Sequence, residues 1–288
     1  MSYIQRQISA TIRLGTGNFG ETGANTVNIP AGLHVSASIN KVAAPSFSSA
    51  EIQIWGLSDL IMNTVSVLGK PLNYNRDNII SLFAGDAVNG MPLAYTGLIY
   101  SAYQNFEDSG NASLNISSSG YTVSQLAPAA STSFAGGADV ATMLSGLALQ
   151  MNLNLQNNGV TAQLTDHYSW GSPMSQIDDI CHAAGVQRAI DGHNLIIWPM
   201  GGSISGTIPV IGPSTGMVGY PTWADKGIKV KSEYNPNLAV NGYVQIETSL
   251  ARAAGKWQVY EILHELETEN PGGPWFSTFS CQNTFKAS

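Results

Sequence analysis

Hydrophobic and polar residues alternate with a period of two along much of this chain, the pattern of strands that bury one face. In residues 7–14, Ile8, Ala10, Ile12 and Leu14 alternate with Gln7, Ser9, Thr11 and Arg13, and the pattern returns at Leu33, Val35, Ala37 and Ile39. Glu51–Trp55, Asn78–Phe83, Leu93–Tyr103 and Ser113–Ser117 read as further strands, spaced by Gly, Pro, Asn and Asp as in a small barrel or sandwich. Ser58 and Asp59 predict a capped helix running to Leu68, stopped by Gly69 and Pro71.

The pattern changes in the middle of the chain. Residues 127–137 carry no charge and are rich in Ala, Ser, Pro and Gly, which predicts a linker. Asp139 then opens a helix whose Val140, Met143, Leu144, Leu147 and Met151 share a face. A second helix is predicted from Ser172 as N-cap and Pro173 in the first turn, with Ile177, Ile180, Cys181 and Ala184 inward and Gly185 as the stop. Asp191-Gly192 predicts a tight hairpin between Val186–Ile190 and His193–Trp198. After a second Gly/Ser/Pro-rich stretch at 200–217, strands are expected at Gly227–Ser232, Gly242–Ser249, Lys256–Thr268 and Trp275–Cys281. The expected fold is mainly β with an α+β insert: two tube-like antiparallel β-barrels, 1–128 and 200–288, flanking a two-helix α+β domain at 129–199.

Composition narrows the function. Of 288 residues 43% are hydrophobic but only 11% charged, against a usual ~25%, so the polar surface is built from uncharged side chains. With 19 acids against 12 bases, the net charge of -7 argues against a phosphate-gripping surface. No apolar run approaches the ~20 residues of a membrane helix, and the first ten residues lack a signal-peptide core, so neither membrane insertion nor export is expected. Two cysteines, Cys181 and Cys281, cannot form a disulfide framework in a chain of this length.

Candidate chemistry is sparse. Residues 15–20, GTGNFG, have the glycine spacing of a dinucleotide loop, but no helical pattern follows to hold a pyrophosphate, so a hairpin loop is expected. The histidines show no metal-binding pair; Asp166, His167 and His182 could converge on a metal only through the fold, and neither metal nor cofactor is expected. In the strand around His264, alternation sets Tyr260, Ile262 and Leu266 on one face. Glu261, Glu265 and Glu267 fall on the other, with Trp257, Val259 and Leu263. Glu261 and Glu265 would lie roughly 13 Å apart along a strand, beyond the roughly 5–9.5 Å of glycosidase pairs, so an acidic, channel-facing stripe is the expected role. G-x-S-x-G and S-x-x-K signatures are missing, and no enzyme is expected.

The C-terminal third carries GMVGYP (216–221), GIKVKSEYNP (227–236), NGYVQIETS (241–249) and GKWQVYEILHELETENPGGPWFSTFSC (255–281). With GADVATMLSGLALQMNLNL and DDICHAAGVQRAIDGHNLIIWP in the middle and LAYTGLIYSAYQNF at 93–106, their order over residues 90–285 resembles the baseplate hub proteins of contractile-tailed bacteriophages. The resemblance implies a homotrimeric ring at the tail tip that joins a sixfold tube to a threefold spike around the DNA exit channel. The implied partners are the spike protein, the tail tube or distal tube protein and other baseplate proteins, with DNA passing unbound. The implied place is the virion baseplate, after assembly in the host cytoplasm. Candidate interface residues are Tyr220, Pro221, Trp223, Trp257, Tyr260, Trp275 and Phe276, each open equally to plain core packing. A carbohydrate- or receptor-binding tail protein would share the polar surface and the aromatics, and a peptidoglycan hydrolase would need a convergent acid pair.

Overall fold

The computed structural model describes residues 5–43, 46–66, 77–106, 112–120, 129–191, 194–202, 204 and 207–283. The first part holds β1 (Arg6–Arg13), β2 (Thr26–Ile29), β3 (Val35–Val42), β4 (Ser49–Trp55), α1 (Asp59–Val65), β5 (Ile79–Asp86), β6 (Leu93–Asn105) and β7 (Ser113–Ser119). The middle holds β8 (Thr132–Asp139), α2 (Val140–Gln150), β9 (Asn154–Asn157), β10 (Gln163–Ser169), α3 (Pro173–Ala184), β11 (Val186–Asp191) and β12 (Asn194–Pro199). The last part holds β13 (Val210–Ile211), β14 (Thr222–Ala224), β15 (Gly227–Glu233), β16 (Tyr243–Ile246), β17 (Gly255–Glu267) and β18 (Trp275–Gln282).

The mainly β architecture with an α+β insert is the one observed, but the strands expected in two barrels are joined in one 13-stranded sheet. Its path runs β14-β15-β18-β17-β3-β4-β7-β6-β5-β1-β2, with β16 and β13 branching from β17, and closes on itself nowhere among the described residues. The join is β17. Its first residues, Gly255–Gln258, pair with β16, and Glu261–Glu267 pair along the same edge with β3, while β18 occupies the other edge. Two cores lie along this sheet. One gathers β1–β7 with Leu266 and Trp275, and the other gathers Ile228, Val230, Val244, Trp257, Val259, Ile262 and Phe279. Gly227 is required where β15 meets β18, since a Cβ there would lie 2.4 Å from the Cys281 carbonyl oxygen.

The insert packs α2 and α3 over the β11-β12-β9 sheet around Leu144, Leu147, Ile177, Ile180 and Leu195. Its caps follow the sequence: Asp139 accepts from Thr142 N, Ser172 accepts from Ser175 N, and Gly185 ends α3 at φ 64°. The expected linker at 127–137 is instead largely β8, which pairs with β10. None of its residues is fully buried, and Gly136 and Gly137 interrupt the apolar alternation that marks a strand. Helix α1 ends at Val65 rather than Leu68, because Ser66 is already extended (ψ 136°). Gly69 and Pro71, and Gly192 of the predicted hairpin turn, lie outside the described residues. GTGNFG forms the loop between the antiparallel strands β1 and β2.

Candidate functional site

One face of the sheet is built from hydroxyls, amides and carboxylates. Residues paired across an antiparallel ladder point to the same face. On β17, Glu261, Leu263, Glu265 and Glu267 stand beside Val42, Asn40, Ser38 and Ser36 of β3. These continue into Ser49, Glu51 and Gln53 of β4 and then Ser119, Ser117 and Asn115 of β7. The carboxylates are held in place. Glu51 accepts from Ser117 Oγ (2.6 Å) and Tyr100 Oη (3.4 Å), and Glu261 from Ser280 Oγ (3.5 Å). Glu267 Oε1 lies 2.9 Å from His34 Nε2 and accepts from Asn270 Nδ2 (2.8 Å), and the His34 ring stacks on Trp55 at 3.8 Å. Partial burial pushes the Glu267 carboxyl up, but the hydrogen bonds from His34 and Asn270 outweigh it and leave the pKa below its ordinary value.

Strict alternation does not hold through β17. A bulge at Tyr260 breaks the pairing with β18 between Val259 and Glu261. The extra residue reverses which face follows, so Trp257 and Val259 turn into the same core as Ile262 and not onto the face of the three glutamates. His264 is 2% exposed, with Nδ1 2.9 Å from Ser277 Oγ and the Tyr234 ring edge-on at 5.2 Å. Burial, with a smaller contribution from the Lys41 charge, lowers its pKa to about 3, so the imidazole is neutral.

The candidate interface aromatics separate into two groups. Trp257 (7% exposed) donates Nε1–H to the Ala253 carbonyl, and Trp275 (8% exposed) lies under the Arg6 guanidinium and edge-on to Tyr234. Both sit inside the chain's own cores. Tyr220 (67%) and Trp223 (79%) are exposed, and Pro221 between them is buried. Tyr260 and Phe276 are half-buried beneath Lys226 and Lys231, whose ammonium groups lie 5.2 and 4.3 Å from the ring centres. A cavity of about 410 Å³ opens between β14 and the loop Leu250–Ala253.

Sequence reading missed Leu250, because it lies in a loop, and Glu51, whose partnership with the β17 glutamates is visible only once register is known. Asp166, His167 and His182 do not come together on a metal: Asp166 accepts from Gly136 N, His167 contacts Ser169 Oγ, and His182 is exposed on α3. Among the described residues no group of three His, Cys, Asp or Glu side chains could hold a metal, and no helix is long and apolar enough to cross a membrane. The thiols of Cys181 and Cys281 are buried, which pushes both up to about 12.

A family model described as baseplate hub gp41 matches residues 8–281. No curated protein matches the chain in sequence. Among solved structures, a tail protein from Neisseria meningitidis MC58 superposes with a TM-score of 0.61 at 10% identity, covering 96% of both chains. The 43 kDa tail protein of prophage MuSo2 from Shewanella oneidensis gives 0.58 at 9%, covering 96% of this chain and 97% of that one. The E. coli c3393 protein, a type VI secretion component described as structurally similar to T4 tail proteins gp27 and gp5, gives 0.57 at 7%, covering 86% and 73%. At these identities the likeness is one of fold.

Proposed function

The chain belongs to the baseplate hub gp41 family, and we propose that it serves as the central hub of the tail tip, three copies forming a ring that joins the sixfold tube to the threefold spike. Its coarser role, a structural component of a phage tail, follows from the family itself. The observation that carries the finer reading is the sheet with two cores joined through β17 and β18. A chain with two sheet-borne units can offer six of them from three copies. Residues 1–128 and 200–288 supply these units, and 129–199 is an attached insert.

In this reading the face bearing Glu51, Glu261, Glu265 and Glu267 lines the channel. From Glu261 onward the ladder β17-β3-β4-β7 presents serines, amides and carboxylates there, with Lys229 and Lys231 of β15 on the same face beyond β18. Carboxylates repel passing phosphates, so DNA moves through unbound. Tyr220, Trp223, Tyr260 and Phe276 contact neighbouring copies, the spike, the tube protein or other baseplate proteins. Trp257, Trp275 and Pro221 support them from inside, and assembly takes place in the host cytoplasm. Light scattering on the purified protein, with and without the spike, tests the ring. A mass of about 91 kDa, three times 30.4 kDa, is expected, and a monomer under both conditions overturns the reading.

A further inference from the structure

The polar face of the sheet changes character at its C-terminal end. Beyond β18, Lys229 stands in line with Ser280 and Glu261, and Lys231 with Thr278 and Leu263, so both lysines share the face of the β17 glutamates. Lys256 points the same way, since its neighbour Trp257 turns into the core. Lys226 joins them from the turn between β14 and β15, with its ammonium group 5.2 Å from the Tyr260 ring centre. Four of the chain's 12 Lys and Arg residues thus meet on one patch.

Aromatic rings carry three of these cations. Besides Lys226 over Tyr260, Lys231 lies over Phe276 at 4.3 Å and Lys256 over Tyr243 at 3.9 Å, and the three rings belong to neither core. Among the described residues none of the four lysines makes an ion pair, although Asp225, Glu233 and Glu261 stand on the same strands and turn. Unpaired cations call for an anionic partner. The rings already lie under ammonium groups, so they offer no free faces for bases to stack on. The interspersed acids also disfavour a phosphate backbone, whose regular charges run past them, whereas a folded protein sets its carboxylates only where the lysines are.

Resting on the hub reading, we propose that the patch of Lys226, Lys229, Lys231 and Lys256 docks an acidic surface of a different protein of the tail. Left bare beside the channel, these lysines hold the phosphates that the glutamates repel; covered by carboxylates, they leave the DNA free to pass. A second copy is a poor occupant. Its glutamate strip faces the channel in this reading, and Asp139, Asp166 and Asp178 are hydrogen-bonded within its insert.

The test treats isolated tails with a water-soluble carbodiimide, which joins a lysine amine to a carboxylate in direct contact, and maps the new amide bonds by peptide mass spectrometry. Bonds from Lys229 and Lys231 to aspartates or glutamates of another protein are expected. No bond, or bonds only to carboxylates of this chain or its copies, overturns the docking surface and leaves the hub reading standing. Tails that lack the chain overturn both. A second readout uses Lys229→Glu with Lys231→Glu. The purified variant is expected to keep its melting temperature while the yield of infectious particles falls at least tenfold, and Lys229→Arg with Lys231→Arg is expected to keep the yield. An unchanged yield from the glutamate pair overturns the proposal. So does a purified chain that retains duplex DNA at physiological salt through these lysines, which assigns the patch to phosphates.

Discussion

Deleting Tyr260 tests the logic of β17. The bulge at this residue lets Trp257 and Val259 face the same core as Ile262, so without it either the N-terminal or the C-terminal half of β17 must present the wrong face. Kept in register with β3, the strand would expel Trp257 and Val259 and turn Lys256 and Gln258 inward. Losing a buried Trp costs about 3–5 kcal/mol. Exposing a buried Val adds about 1.5 kcal/mol or more. The sum, about 5 kcal/mol before any cost of burying Lys256, is comparable to the whole stability of a small domain. Tyr260→Ala keeps the residue count and removes only a half-buried ring, at about 1 kcal/mol. Urea unfolding followed by tryptophan fluorescence should show the deletion unfolded or shifted far below the alanine variant. Equal midpoints for the two would refute the argument.

His264 makes a pH signature. Its folded pKa lies below its unfolded value of about 6.5, so its contribution is complete above pH 6.5 and is lost as pH falls toward about 3. Between pH 6.5 and 5 the wild type should lose up to about 1.4 kcal/mol per unit, and His264→Gln much less, by urea titration at each pH; parallel curves would contradict this. Asp139→Ala removes the cap of α2 and should cost about 1 kcal/mol, measured by thermal unfolding, while Asp139→Asn retains most of it. Glu261→Lys with Glu265→Lys should leave tails assembled but slow DNA release, most at low salt, measured by dye fluorescence on triggered ejection. Unchanged release would remove this face from the channel.

Strands that bury one face are legible because burial writes a period of two into the sequence, as in β1 and β3, while β4 and β7 are marked by the turn residues that bound them. Helices α2 and α3 were legible through their caps as well as their apolar faces. Strand β8 was not, since a Gly- and Ala-rich ribbon with no fully buried position leaves no periodic trace. The bulge in β17 was hidden for a different reason. Tyr260 fits either phase of the alternation, and only pairing with β18 reveals that it is the extra residue. The same limit applies to the aromatics. Trp223 and Trp257 both belong to strands, and what separates them is that β14 ends the sheet while β17 lies at its centre. Joining the two halves through β17 and β3 is a pairing between residues more than 200 apart in sequence, which no local pattern encodes.

The most direct test of the hub account is an electron cryo-microscopy map of isolated tails focused on the tip. Three copies around the tail axis, with Glu51, Glu261, Glu265 and Glu267 on the channel wall, are the result the account predicts. Six copies, a position off the axis, or the glutamate face turned outward would contradict it.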